Sequence, residues 1–248
     1  MNRYKLVIEY DGSNFSGFQV QPEKRTIQGE IEKVLEFLLK SKTKIYASGR
    51  TDAGVSALGQ VAHFDTKQEL NKTFQASVNA LLPNDIAVVD FSKVDESFDA
   101  RFSVKRKTYQ YRFYVSRFTR PLFEKTALRI NDYADLEKMK EACKYFIGTF
   151  DFESFVSKKS GKTDFVRTIY DAKIVDIGNG IYAFEITGNG FLYNMVRIIF
   201  GTILKVGYNK LEPQDVTKII TQKNRSTAGG TMPAYPLLLK NVDYDTQK

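Results

Sequence analysis

The 248-residue chain has no tryptophan, one cysteine, one histidine and six prolines. Each scarcity closes off a class of chemistry. The single thiol, Cys143, excludes an internal disulfide framework and fits a reducing compartment, so a cytoplasmic location is expected. It falls in "LEKMKEACKYFIG", whose apolar spacing is helical, and is expected to be a core thiol. The single histidine, His63, leaves no cluster for a zinc site and argues against a histidine-based triad. No metal is expected. "GQVAHFDT" reads as a strand, so His63 is assigned a structural role. No GxGxxG or Walker-type loop occurs, which argues against a nucleotide cofactor, and none is expected. No apolar run is long enough to cross a bilayer. A strand begins at once in "MNRYKLVIEYDG", so neither a signal peptide nor a membrane association is expected.

What the chain does have is charge. Lysine and arginine number 37 against 29 acidic residues, a net charge of +8. Such an excess favours a polyanionic partner, either nucleic acid or an anionic membrane surface. The plain alternative is solubility alone, because the basic residues are scattered rather than gathered in a tail. Hydrophobic residues at 42% suffice for a packed core, in one large domain or two small ones.

Periodicity gives the organisation. "YKLVIEYDG" alternates Leu6, Ile8 and Tyr10 against Lys5, Val7 and Glu9, as a half-buried strand does. "TIQGEIEKVLEFLLK" places Ile27, Ile31, Val34, Leu35 and Leu38 at helical spacing, with Thr26 as N-cap and Glu30 in the first turn. "KIYASG" reads as a short strand. "NKTFQASVNALLP" is a helix with Phe74, Val78 and Leu81 on one face, and "DIAVVDFSKV" is another strand. In the second half, "KTYQYRFYVS", "VRTIYDAKIVDIG", "GIYAFEITG" and "PLLLKNVDY" read as strands. "DLEKMKEACKYFIG", "LYNMVRIIFGTILKVG" and "EPQDVTKIITQ" read as helices. Strands outside a regular strand–helix alternation point to an α+β fold with a mostly antiparallel sheet and helices on one side. The boundary between two related α+β halves is set at 1–104 and 105–248.

Three features could carry chemistry. "ASGRTDAGVSALGQVAHFDT" holds Arg50 and Asp52 in a short turn between Gly49 and Gly54. An aspartate in a turn commonly bonds its own backbone. Here Arg50 would favour the ionised carboxylate, and the glycines would let a flat ligand approach, so Asp52 is a candidate nucleophile or base. Arg197 lies within a helix that is apolar over most of its circumference. A guanidinium buried there needs a carboxylate partner, which spacing alone does not identify. Finally, "FDARFSVKRKTYQYRF" interleaves Phe98, Phe102 and Tyr109 with Arg101, Lys105, Arg106 and Lys107, a pattern that suits RNA or a solvated edge strand. "SKKSGKTDFVR" adds Lys158, Lys159, Lys162 and Arg167 in a polar loop.

Taken in order, "YDGSNFSGFQVQPEKRTIQGEIEKVL", "SGRTDAGVSALGQVAHF", "FDARFSVKRKTYQYRFY", "DFESF", "GNGFLYNMVRIIFGTILKVG" and "PAYPLLLKNVDY" resemble the bacterial tRNA pseudouridine synthase A (TruA) family over nearly the whole chain. The resemblance implies a pseudouridine synthase fold, two related α+β halves sharing a mostly antiparallel central sheet with a catalytic cleft. It implies an isomerase that acts as a homodimer, without cofactor or metal, on uridines of the tRNA anticodon stem-loop at positions 38–40. By position, Asp52 would be catalytic, Arg50 would displace the target base, Tyr109 would stack on the uracil, and Arg197 would pair with Asp52. Phe98, Asp99, Ala100, Arg101 and Phe102, with Lys105, Arg106, Lys107 and Lys162, match RNA-contacting segments. The chain departs from the family where Ser56 follows "DAGV" in place of the usual histidine, and where Pro236 precedes Leu237 in place of "GL". Two other readings are the same chemistry on ribosomal RNA and a non-catalytic RNA-binding module.

Overall fold

A computed structural model describes residues 1–157 and 164–244. The chain divides into two compact units. One is Met1–Lys105 together with the closing strand from Leu238, and the other is Arg106–Leu237.

In the first unit, β1 (Asn2–Tyr10) is central, with β3 (Ser56–Thr66) and β4 (Ile86–Val94) antiparallel on its two sides. The two-residue β2 (Tyr46–Ala47) pairs antiparallel with β3, and β10 (Leu237–Tyr244) runs parallel to it. The alternation read in β1 is realised, since Tyr4, Leu6 and Ile8 are fully buried while Lys5 and Val7 are half-buried and Glu9 is exposed. Tyr4 stacks on Phe64 of β3 and Phe91 of β4. Phe74, from α2 (Thr73–Leu81), packs against both phenylalanines. The helices therefore cover one face of this sheet. Helix α1 (Ile27–Leu39) starts as read, with Thr26 Oγ1 accepting from Gly29 N at 3.2 Å. Leu81 is the exception. It is 46% exposed, because α2 ends there, one residue before the chain turns extended at Leu82.

In the second unit the antiparallel order is β5 (Val104–Val115), β9 (Tyr182–Gly188), β8 (Val166–Asp176) and β7 (Gly148–Asp151). The short β6 (Leu128–Ile130) runs parallel to β5. Helix α3 (Leu136–Lys144) buries Cys143 completely, and burial pushes its thiol pKa up to about 12. Helix α4 (Met195–Gly207) is buried along nearly its whole length, and the shorter α5 (Asp215–Gln222) follows. Phe200 of α4 stacks on Tyr111 and Phe184 and contacts Phe113, which fixes α4 on β5 and β9. Sequence periodicity identified neither β6 nor β7; three or four residues carry too little pattern. No helix among the described residues is long and apolar enough to cross a membrane.

Candidate active site

The segment from Ser48 to Val55 joins β2 to β3, and its shape is set from below. Ser48 Oγ donates to Gln60 Oε1 at 2.6 Å, and Gln60 Nε2 donates to Gly49 O at 3.0 Å. The hydroxyls of Tyr10 and Thr51 bond at 2.8 Å. Tyr10, Ser48, Thr51 and Gln60 are all buried, so these are bonds shielded from water. Burial raises the Tyr10 pKa to about 12, with hydrogen bonds to Thr51 and Gln60 working against it. The phenol is therefore a neutral structural group.

Above this network Asp52 is half-buried and Arg50 exposed. Val55 N donates to Asp52 O at 3.1 Å, closing a turn in which Gly54 takes φ +78°. Arg50 Nη1 donates to Gln19 Oε1 at 2.8 Å. The loop after β1 lies tight against this turn. A Cβ on Gly12 would stand 2.1 Å from Val55 O, and one on Gly17, at φ +95°, 2.9 Å from Thr51 O. Only glycine permits the first approach without backbone movement. Ser56, the departure from the family's usual residue, accepts from Gly12 N at 3.0 Å and so fastens the same loop.

Arg101 and Phe102 are displayed by a second rigid turn of this unit. Asp99 accepts from both their backbone N–H groups, at 2.7 and 2.9 Å. Ala100 is fully buried, its N–H donating to His63 Nδ1 at 3.1 Å and its carbonyl accepting from Tyr244 OH at 2.7 Å. Phe98 packs against His63 and Tyr244. Phe98, Asp99 and Ala100 thus hold the turn, while Arg101, its guanidinium 5.3 Å from the Phe102 ring, and the 80% exposed Phe102 face solvent. Lys105 is exposed at the end of this unit.

In the second unit Tyr109 lies on β5 with its ring edge-on to Phe191, 5.1 Å between centroids. Arg106, exposed, sits over the Tyr170 ring at 5.0 Å, and Lys107 is half-buried. Arg197 is half-buried rather than enclosed, because it stands in the first turn of α4 and its long side chain reaches the helix end. Its Nε donates to Met232 O at 2.6 Å and its Nη1 to Asn194 Oδ1 at 2.7 Å. Asn194 itself is left-handed, at φ 62°. The 228–232 stretch reaches Arg197 through glycine contacts. A Cβ on Gly201 would lie 2.2 Å from Gly230 O, one on Gly229 would lie 2.2 Å from Gly201 C, and Gly229 N donates to the Thr202 hydroxyl. Asn194, Met232 and Gln60 were not singled out in the sequence, and Tyr10 only as part of the alternation in the first strand. Gln60 carried a signal, as a polar residue inside an apolar strand run. Lys158, Lys159 and Lys162 lie outside the described residues. Among the described residues no three His, Cys, Asp or Glu side chains gather as a metal site.

A family model described as tRNA pseudouridine synthase matches residues 6–103 and 142–245. The chain belongs to the tRNA pseudouridine synthase family. The first matched stretch contains the Asp52 turn and the Arg101–Phe102 turn, and the second contains Arg197. Tyr109 falls between them, in a region that full-length relatives span. The tRNA pseudouridine synthase A of Anoxybacillus flavithermus is 47% identical over 248 residues, 99% of this chain and 100% of that protein. That of Bacillus subtilis is 45% identical over 246 residues, 98% and 99% of the two chains. A crystal structure of a Cbf5–Nop10–Gar1 complex aligns over 96% of this chain and 58% of that chain, at 15% identity and a TM-score of 0.39. Family membership makes the chain an isomerase with the pseudouridine synthase α+β fold.

Proposed function

We propose that this tRNA pseudouridine synthase isomerises uridine in the anticodon stem-loop of tRNA, at positions 38–40, with Asp52 as the catalytic carboxylate. The observation that carries the assignment is the support beneath Asp52. A half-buried carboxylate sits on a turn that buried hydrogen bonds fix from Tyr10, Ser48 and Gln60. Preorganisation of this kind is what a reacting carboxylate needs.

The reaction breaks the bond between uracil N1 and ribose C1′, turns the base, and joins C5 to C1′. The proton on C5 is lost and N1 gains one, so the change is an isomerisation with no net redox step. A stacked base is out of reach and must first be extruded, at a cost of a few kcal/mol. Arg50, exposed at the rim of the turn, is assigned to displace the base. Tyr109 is assigned to stack on the uracil and Arg197 to pair with Asp52. No acidic residue stands in the first turn of α4, where the helix dipole and the Arg197 charge together favour an anion. Arg101, Phe102, Lys105, Arg106, Lys107 and Lys162 are assigned to the RNA, and Phe98, Asp99 and Ala100 to the turn that presents the first two. The working form is proposed to be a cytoplasmic homodimer.

The test is Asp52→Asn, which keeps the size and removes the charge. Pseudouridine formation on a tRNA transcript should fall by at least about 10²–10⁴-fold, with tRNA affinity changed by no more than a few-fold. A near wild-type rate would remove Asp52 from the chemistry. Mapping pseudouridine in total RNA from cells with and without the protein tests the substrate. Sites lost from ribosomal RNA rather than from the anticodon stem-loop would overturn that assignment.

A further inference from the structure

The first unit's sheet has two unlike faces. On one, Phe64 and Phe91, each stacked on Tyr4, meet Phe74 of α2. On the other, strand register sets Tyr46 of β2 opposite His63 of β3, and His63 opposite Lys5 of β1. Tyr46 is 54% exposed although it is a large aromatic ring. It is not loose. Its ring stacks on the His63 imidazole, 5.3 Å between centroids at 24°. His63 is itself buried and pinned by the N–H of Ala100, the residue before Arg101 and Phe102. Tyr46 is thus a ring held against a fixed support with much of its surface open to water. It lies beside the turn that displays Arg101 and Phe102, and one residue past it the chain enters the Asp52 segment. Lys42 and Lys44, just before it, are both exposed.

We propose that Tyr46 is a stacking platform for an unpaired base of the bound tRNA, adjacent to the nucleotide that the Asp52 turn engages. A preoriented ring stacks on any base without losing side-chain freedom, and neighbouring lysines meet the flanking phosphates. Register sets the Tyr46 ring on this face, and there it stays mounted on His63 with more than half of its surface open to water. The inference rests on tRNA being the substrate, and the test separates the two.

Stacking is worth enough per base that Tyr46→Ala should bind a tRNA transcript about 5- to 150-fold more weakly. Tyr46→Phe should stay within about twofold, since the π-face is kept. Tyr46→Leu should behave like Tyr46→Ala while still covering His63, which separates stacking from support of the fold. The absence of tryptophan supplies a direct probe. Tyr46→Trp creates a single tryptophan, excited at wavelengths where the tyrosines do not absorb, that should be quenched when tRNA binds. Phe37→Trp, at a 60% exposed position on α1, should not be quenched. Wild-type affinity for Tyr46→Ala, an unquenched Tyr46→Trp, or equal quenching at both positions would each overturn the proposal. If binding and quenching behave as expected but the wild-type protein forms no pseudouridine, the functional reading fails and the stacking site stands.

Discussion

The two segments that carry the candidate site residues are held by different means. Under Asp52 the support is polar, with four buried side chains exchanging hydrogen bonds beneath the turn. Around Arg197 the support is steric. Gly201 and Gly229 let the 228–232 stretch lie against α4 at backbone distance, and Arg197 then ties Met232 and Asn194 together. A hydrogen-bonded support fixes direction, because each donor has one acceptor at one angle. A close backbone contact fixes position and fails with a single methyl group. The first fixes the direction of a side chain, and the second fixes the location of a backbone segment.

The sharpest way to break this contrast is at the glycines. Gly229→Ala would set a Cβ 2.2 Å from Gly201 C and 2.3 Å from Thr202 N, both backbone atoms that cannot rotate aside. It should cost about 3 kcal/mol, the upper part of the usual range for overpacking, and displace Met232 from Arg197. Gly230→Ala is the control, since nothing lies within 4 Å of its added Cβ. Its effect should stay within about 0.5 kcal/mol. Denaturant midpoints at constant m-value decide it. Equal effects at both positions would show that close approach is not what holds this stretch.

The polar support makes a different prediction. Gln60→Leu removes the acceptor of the Ser48 hydroxyl and the donor to Gly49 O, and Tyr10→Phe removes the partner of the Thr51 hydroxyl. Each should cost about 1–3 kcal/mol, because a buried polar group loses its partner. Since Tyr10 holds Thr51 and Gln60 holds Ser48 and Gly49 of the same short segment, the two changes should not add. A double-mutant cycle should give a coupling of about 0.5–3 kcal/mol. Simple additivity would mean two separate bonds rather than one network.

How far the sequence exposed these devices depended on the range of the interaction. The Thr26 cap, the alternation in β1, the buried length of α4 and the core position of Cys143 are local patterns, and they were readable as such. The short β6 and β7 and the exposed end of α2 were not, because each depends on where a neighbour stops. The Asp52 turn was visible through its glycines and its two charged residues, although Arg50 bonds Gln19. Its polar underlay was not, because Tyr10 and Gln60 lie 41 and 12 residues from their partners Thr51 and Ser48. The environment of Arg197 was misjudged for a related reason. A helical wheel places it among apolar side chains, but its position in the first turn lets it escape to the helix end. Gly229 carried no sequence signal, because its need for glycine arises only from the backbone of Gly201 and Thr202 on α4.

The smallest expected effect concerns the base of the turn beside Tyr46, where the buried His63 is the support. Its pKa is lowered, first by burial and then by the Arg3 charge, with Asp99 and Asp65 acting in the opposite sense. Its Nδ1 accepts from Ala100 N, so the neutral ring carries its proton on Nε2, and protonating Nδ1 would cost that bond. In the unfolded chain the imidazole titrates near about 6.5. Above that pH both states are neutral, and the stabilising contribution is fully present. As pH falls, the unfolded chain takes up the proton first, so stability is lost between about 6.5 and the lower folded value. His63→Gln offers an amide acceptor to Ala100 N but no titration. Denaturant midpoints measured from pH 8 to pH 5 should fall more steeply for the wild-type protein than for this variant. The extra slope should begin near 6.5 and be accompanied by weaker tRNA binding as Arg101 and Phe102 lose their fixed mount. Identical pH profiles for the two proteins would show that the imidazole does not titrate against folding, and would leave the turn resting on the Asp99 and Tyr244 hydrogen bonds alone.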